Sequence, residues 1–175
     1  NPIVGVSSRL LVKHKGEKEF GSPVPFDTEL KKGDEFKMRF ETNVNGFIYV
    51  FRQGVKGIDF VYPAKAKTSK RTKQTEPLMR DTGKVTAHEP IEIPIDKKGF
   101  LYDVKSRGDV VFVFLSMKQI PDLEGLKDKK SIRVEDLQAV MHTVRPGEVV
   151  SAPPYNVLRV SDPKEVLGFT LNLNG

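Results

Sequence analysis

At 175 residues, with 38% apolar and 30% charged side chains, the chain has the length and balance of one folded domain with a buried core, and its many phenylalanines and β-branched residues exclude wholesale disorder. It has no cysteine, which excludes disulfides and thiolate zinc sites, and no apolar run reaches the roughly 20 residues a membrane helix needs. Most of the +6 net charge sits in one segment, 63–84, where Lys65, Lys67, Lys70, Arg71, Lys73, Arg80 and Lys84 face only Glu76 and Asp81.

The chain opens on Asn1-Pro2-Ile3, without an initiator Met or a charged leader, so we expect a trimmed signal peptide or lipid anchor and a periplasmic, outer-membrane-associated or secreted placement. Over 5–15, Val6, Ser8, Leu10 and Val12 alternate with Arg9 and Lys13, which predicts a strand. Lys15-Gly16-Glu17 turns the chain, and Ser22-Pro23-Val24-Pro25 is extended, since each proline fixes φ and restricts its predecessor. After the Lys32-Gly33-Asp34 turn, Phe36, Met38 and Phe40 point one way while Glu35, Lys37, Arg39 and Glu41 point the other, the pattern of a half-buried strand. Asn43-Val44-Asn45-Gly46 predicts a tight hairpin turn in which Asn-Gly supplies positive φ. Phe47 to Phe51, apolar on both faces, then predicts an interior strand, and Ile58 to Tyr62 a third member of an antiparallel meander.

Segment 63–84 has neither helical nor strand periodicity and predicts a long exposed loop. Ile91, Ile93 and Ile95 alternate beyond it, and Pro90 and Pro94 place that strand at a sheet edge. Asp96-Lys97-Lys98-Gly99 and Arg107-Gly108-Asp109 are turns around a short strand at 100–102. Val110 to Leu115 carries no polar break and predicts a strand buried on both faces. Residues 121–130 look like a charged linker. Val134, Leu137, Val140, Met141 and Val144 then recur at helical spacing, predicting a helix over 131–144, capped by Ser131, with Glu135 and Asp136 at its positive end. Ala152-Pro153-Pro154 is a stiff connector before two final strands near 157–160 and 166–173.

The fold class expected is therefore all-β dominated: a two-layer antiparallel β-sandwich of about seven to nine strands with one α-helix in the C-terminal region, as a single domain over 1–175. Phe36, Met38, Phe40, Ile48, Val50, Phe60, Val111, Val113 and Leu115 are its expected core.

Candidate chemistry is sparse. His14, His88 and His142 have no metal-ligand spacing, and no Gly-x-Ser-x-Gly elbow frames Ser7, Ser8 or Ser116. Asp27, Glu29, Asp34 and Glu35 cluster beside a glycine turn, which turn chemistry explains better than a catalytic carboxylate pair. Phosphate-cradling glycine motifs are missing, so no cofactor is indicated. Arg107-Gly108-Asp109 matches a receptor-binding tripeptide but is more simply a turn. The basic residues of 63–84 are the leading binding candidates, because clustered Lys and Arg attract phosphate and carboxylate polymers. That segment lacks aromatics for base stacking, which disfavours sequence-specific nucleic acid and leaves a protein partner or an anionic surface.

Several elements in fixed order carry a family resemblance: the Lys32-Gly33-Asp34 turn before an alternating strand, Thr42-Asn43-Val44-Asn45-Gly46-Phe47-Ile48-Tyr49-Val50, Val61-Tyr62-Pro63, Ile93-Pro94 before a glycine turn, and an apolar strand ending at Ser116. Over about 26–120 the chain resembles the bacterial family catalogued as domain of unknown function 4384, with 121–175 adding a helix and terminal strands outside the match. The resemblance implies a β-sandwich accessory module of bacterial envelope or signalling proteins, and it carries no catalytic residues across. The expected function is a non-catalytic interaction module of an envelope or surface protein; the alternatives are a scaffold subunit of a larger extracytoplasmic assembly and a hydrolase.

Overall fold

A computed structural model describes residues 3–63, 82–141 and 149–174. Its strands are β1 (Ile3–Lys13), β2 (Val24–Pro25), β3 (Glu35–Thr42), β4 (Gly46–Gly54), β5 (Gly57–Tyr62), β6 (Lys84–Val85), β7 (Ile91–Ile93), β8 (Phe100–Leu101), β9 (Val110–Ser116), β10 (Val150–Ala152), β11 (Tyr155–Arg159) and β12 (Leu167–Asn172). Two short helices, α1 (Pro121–Glu124) and α2 (Val134–Met141), complete it, with one 3-10 turn at Val104–Ser106.

The strands form two antiparallel sheets, the all-β sandwich expected from the sequence pattern. The first runs β10-β11-β1-β3-β7, with β2 added to β1 and β8 to β3; the second runs β12-β9-β4-β5, with β6 added to β4. Alternation sets the inner faces. Leu10, Phe36, Met38 and Phe40 from the first sheet, and Ile48, Val50, Val111, Val113 and Leu115 from the second, are all fully buried. Phe60, also expected in the core, is only partly buried against it. The Ile91–Ile93 strand ends the first sheet, where its flanking prolines suit an edge.

The outer face of the second sheet is apolar too, with Tyr49, Phe51, Phe112 and Phe114 buried there. A sheet face of that kind needs a cover. Residues 120–141 supply it by burying Ile120, Leu123, Leu126, Leu137 and Val140. At one end Ile132 bridges to Ile58 of β5, and at the other Met141 packs against Gly168 of β12. The Tyr49 hydroxyl fixes the middle: it donates to Glu124 Oε1 at 2.6 Å and accepts from the Ile120 N–H at 3.2 Å.

Five local expectations are corrected. The 43–46 segment is not a hairpin turn, because β3 and β4 lie in different sheets; only β4 and β5 form a hairpin of the expected meander. Gly46 does not carry positive φ; a Cβ there would collide with the Ser116 carbonyl of the neighbouring strand, so close approach is what calls for glycine. The supposed linker contains α1, which begins on Pro121 and buries Leu123. Ser131 does not cap α2; the Asp136 carboxylate instead accepts from the Arg133 N–H at 2.9 Å, just ahead of the first helical residue. The Ala152-Pro153-Pro154 stretch is the tight link of a β10–β11 hairpin, with a cis bond between the two prolines.

Candidate functional site

The outward face of the first sheet is built by the residues that alternate with the core. Register places Ser7 opposite Glu41, Arg9 opposite Arg39 and Lys13 opposite Glu35 on β1 and β3. Most cations here are neutralised or hydrogen-bonded. Lys13 Nζ lies 2.7 Å from Glu35 Oε2, Arg39 NH1 lies 2.8 Å from Glu92 Oε2, and Lys37 Nζ donates to the Asp96 carbonyl at 2.5 Å. The Lys13 hydrogen bond holds the Glu35 carboxyl below its usual range. Arg9 is the exception on these two strands. It is partly buried, its guanidinium makes no hydrogen bond or ion pair among the described residues, and it stands in register opposite a second arginine. Arg39 is met by Glu92, so the donors left unused at this cross-strand pair are those of Arg9. The two arginines line a recess of ≈ 350 Å³ with Ser7, Pro23, Glu41 and the half-exposed Tyr155. Glu41 sits beside Ser7, which confines the positive character to the Arg9 side.

Two clefts open between the sheets. One, ≈ 300 Å³, lies between β5 and the β7–β8 edge and contains Arg52 and Phe100. The Arg52 charge is already met: Nε and NH2 both lie 2.9 Å from Asp109 Oδ2, and the guanidinium sits 5.4 Å from the ring centres of both Phe36 and Phe100. The larger cleft, ≈ 590 Å³, lies on the opposite flank, where β1, β2 and the β10–β11 hairpin approach β12. Ser8 and Asn156 form its polar floor, Phe26, Pro154 and Leu171 its apolar walls, and Arg9 and Asp27 bring charge to its rim.

No family model, curated protein or solved structure matches the chain.

The basic cluster proposed from sequence is placed only at one end. Lys84 is exposed on β6, paired in register with Phe47, while Lys65, Lys67, Lys70, Arg71, Lys73 and Arg80 lie outside the described residues. His142 lies outside them too. His14 Nδ1 is 3.0 Å from Asp34 Oδ1, and the other Asp34 oxygen accepts from the Lys31 N–H at 2.9 Å, so this pair braces the turn through Gly33. Among the described residues no hydroxyl bonds to His14, and no three His, Asp or Glu side chains converge as a metal site. His88 is a turn residue at φ 66°, its N–H donating to the Thr42 carbonyl. Asp109 of the Arg-Gly-Asp tripeptide is buried against Arg52 and so is not presented to a receptor. Ser116 Oγ donates to the Glu165 carbonyl at 3.2 Å and anchors the loop before β12. None of the described helices is long and apolar enough to cross a membrane.

In the sequence, Arg9 and Arg39 look like any charged residues on a solvated strand face. Their alternation with core residues did show which way they point. What it did not show is that strands 30 positions apart pair with these two residues in register.

Proposed function

We propose that the protein is a non-catalytic interaction module that binds an anionic partner, with the Arg9–Arg39 recess as its contact on the folded domain. The observation that supports this reading is Arg9: a partly buried cation, without a protein partner among the described residues, held opposite another cation. A bound carboxylate or phosphate would fill the unused donors of Arg9, since guanidinium matches such groups with paired hydrogen bonds. The exposed Tyr155 and Ser7 add a ring face and a hydroxyl beside the charge. The Lys and Arg residues of 63–84 add long-range attraction on any geometry, because the net charge of the chain is concentrated there.

Titration with inorganic polyphosphate, followed by calorimetry at several salt concentrations, tests the reading. Affinity is expected to fall as salt rises. Arg9→Gln should weaken binding about 10- to 100-fold, the worth of one charge-assisted hydrogen-bonded contact. The combined change Lys70→Ala, Arg71→Ala, Lys73→Ala should weaken it further and flatten the salt dependence. Unchanged affinity in Arg9→Gln would remove the recess from the account; unchanged affinity in the triple variant would remove the basic segment.

A further inference from the structure

The larger cleft is created by a handover along one edge of β1. Residues 3–7 of β1 pair with β11, and residues 9 and 10 pair with β2. Ser8 lies between the two partners. Its N–H is taken by the Pro154 carbonyl at 3.0 Å, but its side chain faces the cleft. Ser8 is only 2% exposed, and its hydroxyl has no hydrogen-bond partner among the described residues. Buried hydroxyls are nearly always satisfied, so this one calls for an explanation. Asn156, also buried, stands next to it. Its Oδ1 accepts from Ser151 Oγ at 2.5 Å, and its amide N–H groups donate to nothing among the described residues.

The far wall of the cleft is the free edge of β12. Leu173 turns both backbone groups toward the β9 side: its N–H donates to the Asp109 carbonyl and its carbonyl accepts from the Gly108 N–H. In an antiparallel ladder this direction alternates, so Leu171 and Phe169 also bond to β9, while Thr170 and Asn172 aim N–H and C=O outward. One step further along, the outward carbonyl of Asn174 accepts the Leu30 N–H at 2.9 Å, which shows the edge already paired by an extended segment there. At Thr170 and Asn172 it pairs with no described strand, and both residues line the cleft.

We infer that this cleft docks an extended peptide segment of a partner protein, which adds as a short strand to the β12 edge and sets a hydrogen-bonding side chain against Ser8 and Asn156. Two outward residues in a strand present backbone donors and acceptors about 6.8 Å apart, a spacing that another extended backbone matches. Asn156 offers donors and Ser8 either role, which selects a hydroxyl or carboxamide side chain at the position that reaches them. Phe26, Pro154 and Leu171 take the apolar stem beside it.

A display library of random linear heptapeptides, panned against the purified chain, supplies the probe. Enriched peptides are expected to carry Ser, Thr, Asn or Gln at one shared position and to slow amide exchange at Thr170 and Asn172 on the unaltered protein. Asn172→Pro, which deletes an outward N–H that no described group uses, should weaken them at least tenfold, and Ser8→Val should do the same. Melting curves verify that each variant is folded; should either fail to fold, the exchange measurement on the unaltered protein decides. The inference is overturned if no peptide enriches, if enriched peptides protect amides elsewhere, if they bind Asn172→Pro unchanged, or if a neutral oligosaccharide proves to be what Ser8→Val releases.

Discussion

Tyr49→Phe isolates the bond that holds the helical cover on the second sheet. The Tyr49 side chain is inaccessible to solvent, and its hydroxyl joins the 120–124 segment at two points. Burial first, and then the Glu124 carboxylate, push the phenol far above its ordinary range, so it is a neutral donor at neutral pH. The substitution removes one hydrogen bond to a charged acceptor, worth about 1.5–3 kcal/mol. It also strips the Ile120 N–H of its acceptor, whereas Glu124 keeps an ion pair with Lys127 at 3.1 Å. An orphaned buried N–H costs about 1–3 kcal/mol, part of which local rearrangement recovers. A net loss of about 2–4 kcal/mol follows, or a melting point lower by about 4–16 °C for a chain of this size. Urea denaturation and calorimetry measure it, and a double-mutant cycle with Glu124→Gln should show coupling of about 1–2 kcal/mol. A loss below about 0.5 kcal/mol would refute the view that this hydroxyl pins the cover, leaving apolar contact by Leu123 and Leu137 to hold it alone.

Two further outcomes test the electrostatics. Arg52→Met should destabilise by about 2–4 kcal/mol, because it leaves the nearly buried Asp109 carboxylate uncompensated; adding Asp109→Leu should restore most of the loss, as read from urea midpoints. Asp136→Asn should lower stability in a pH-dependent way. The Lys129 hydrogen bond and the Arg133 N–H hold the folded carboxyl below its ordinary value of 3.8, so its contribution is fully present above that value and is lost as pH falls through the lower folded one. Urea midpoints of the two proteins should therefore differ at pH 6 and draw together as the pH falls below the ordinary carboxylate range, and a constant gap would contradict the assignment.

Much of the fold was legible because both faces of a strand announce their surroundings. Phe36, Met38 and Phe40 alternate with charge and lie on a sheet with one wet face; Val110 to Leu115 do not alternate and lie in a sheet covered on both sides. The same reasoning requires a cover for Tyr49, Phe51, Phe112 and Phe114, and segment 121–130 held the signal: Pro121 at a helix start, acids after it, and Leu123 and Leu126 three apart. Its charge hid that spacing. The step from β3 to β4 was misread because Asn-Val-Asn-Gly suits a hairpin and a crossing between sheets equally well at the local level; which one forms is decided by the pairing of β3 with β1 and of β4 with β9, and neither pairing is local.

The candidate sites follow the same division. A charge run such as 63–84 is visible in any sequence, since it needs no partner to be noticed. The Arg9–Arg39 recess and the Ser8 cleft consist of what strand pairing brings together or leaves unpaired, and single residues carry no mark of that. Arg9 and Ser8 are neighbours on β1 and alternate between its faces, and among the described residues the one has no ion pair and the other's hydroxyl no hydrogen-bond partner. In a strand whose other inward residues are apolar, a valine at Ser8 would pack without cost to hydrogen bonding, and a threonine at Arg9 would leave no guanidinium without a partner. Among the described residues, no hydrogen bond or ion pair accounts for either side chain. Ligands bound on the two faces of β1, an anion outside and a peptide at the inner edge, would.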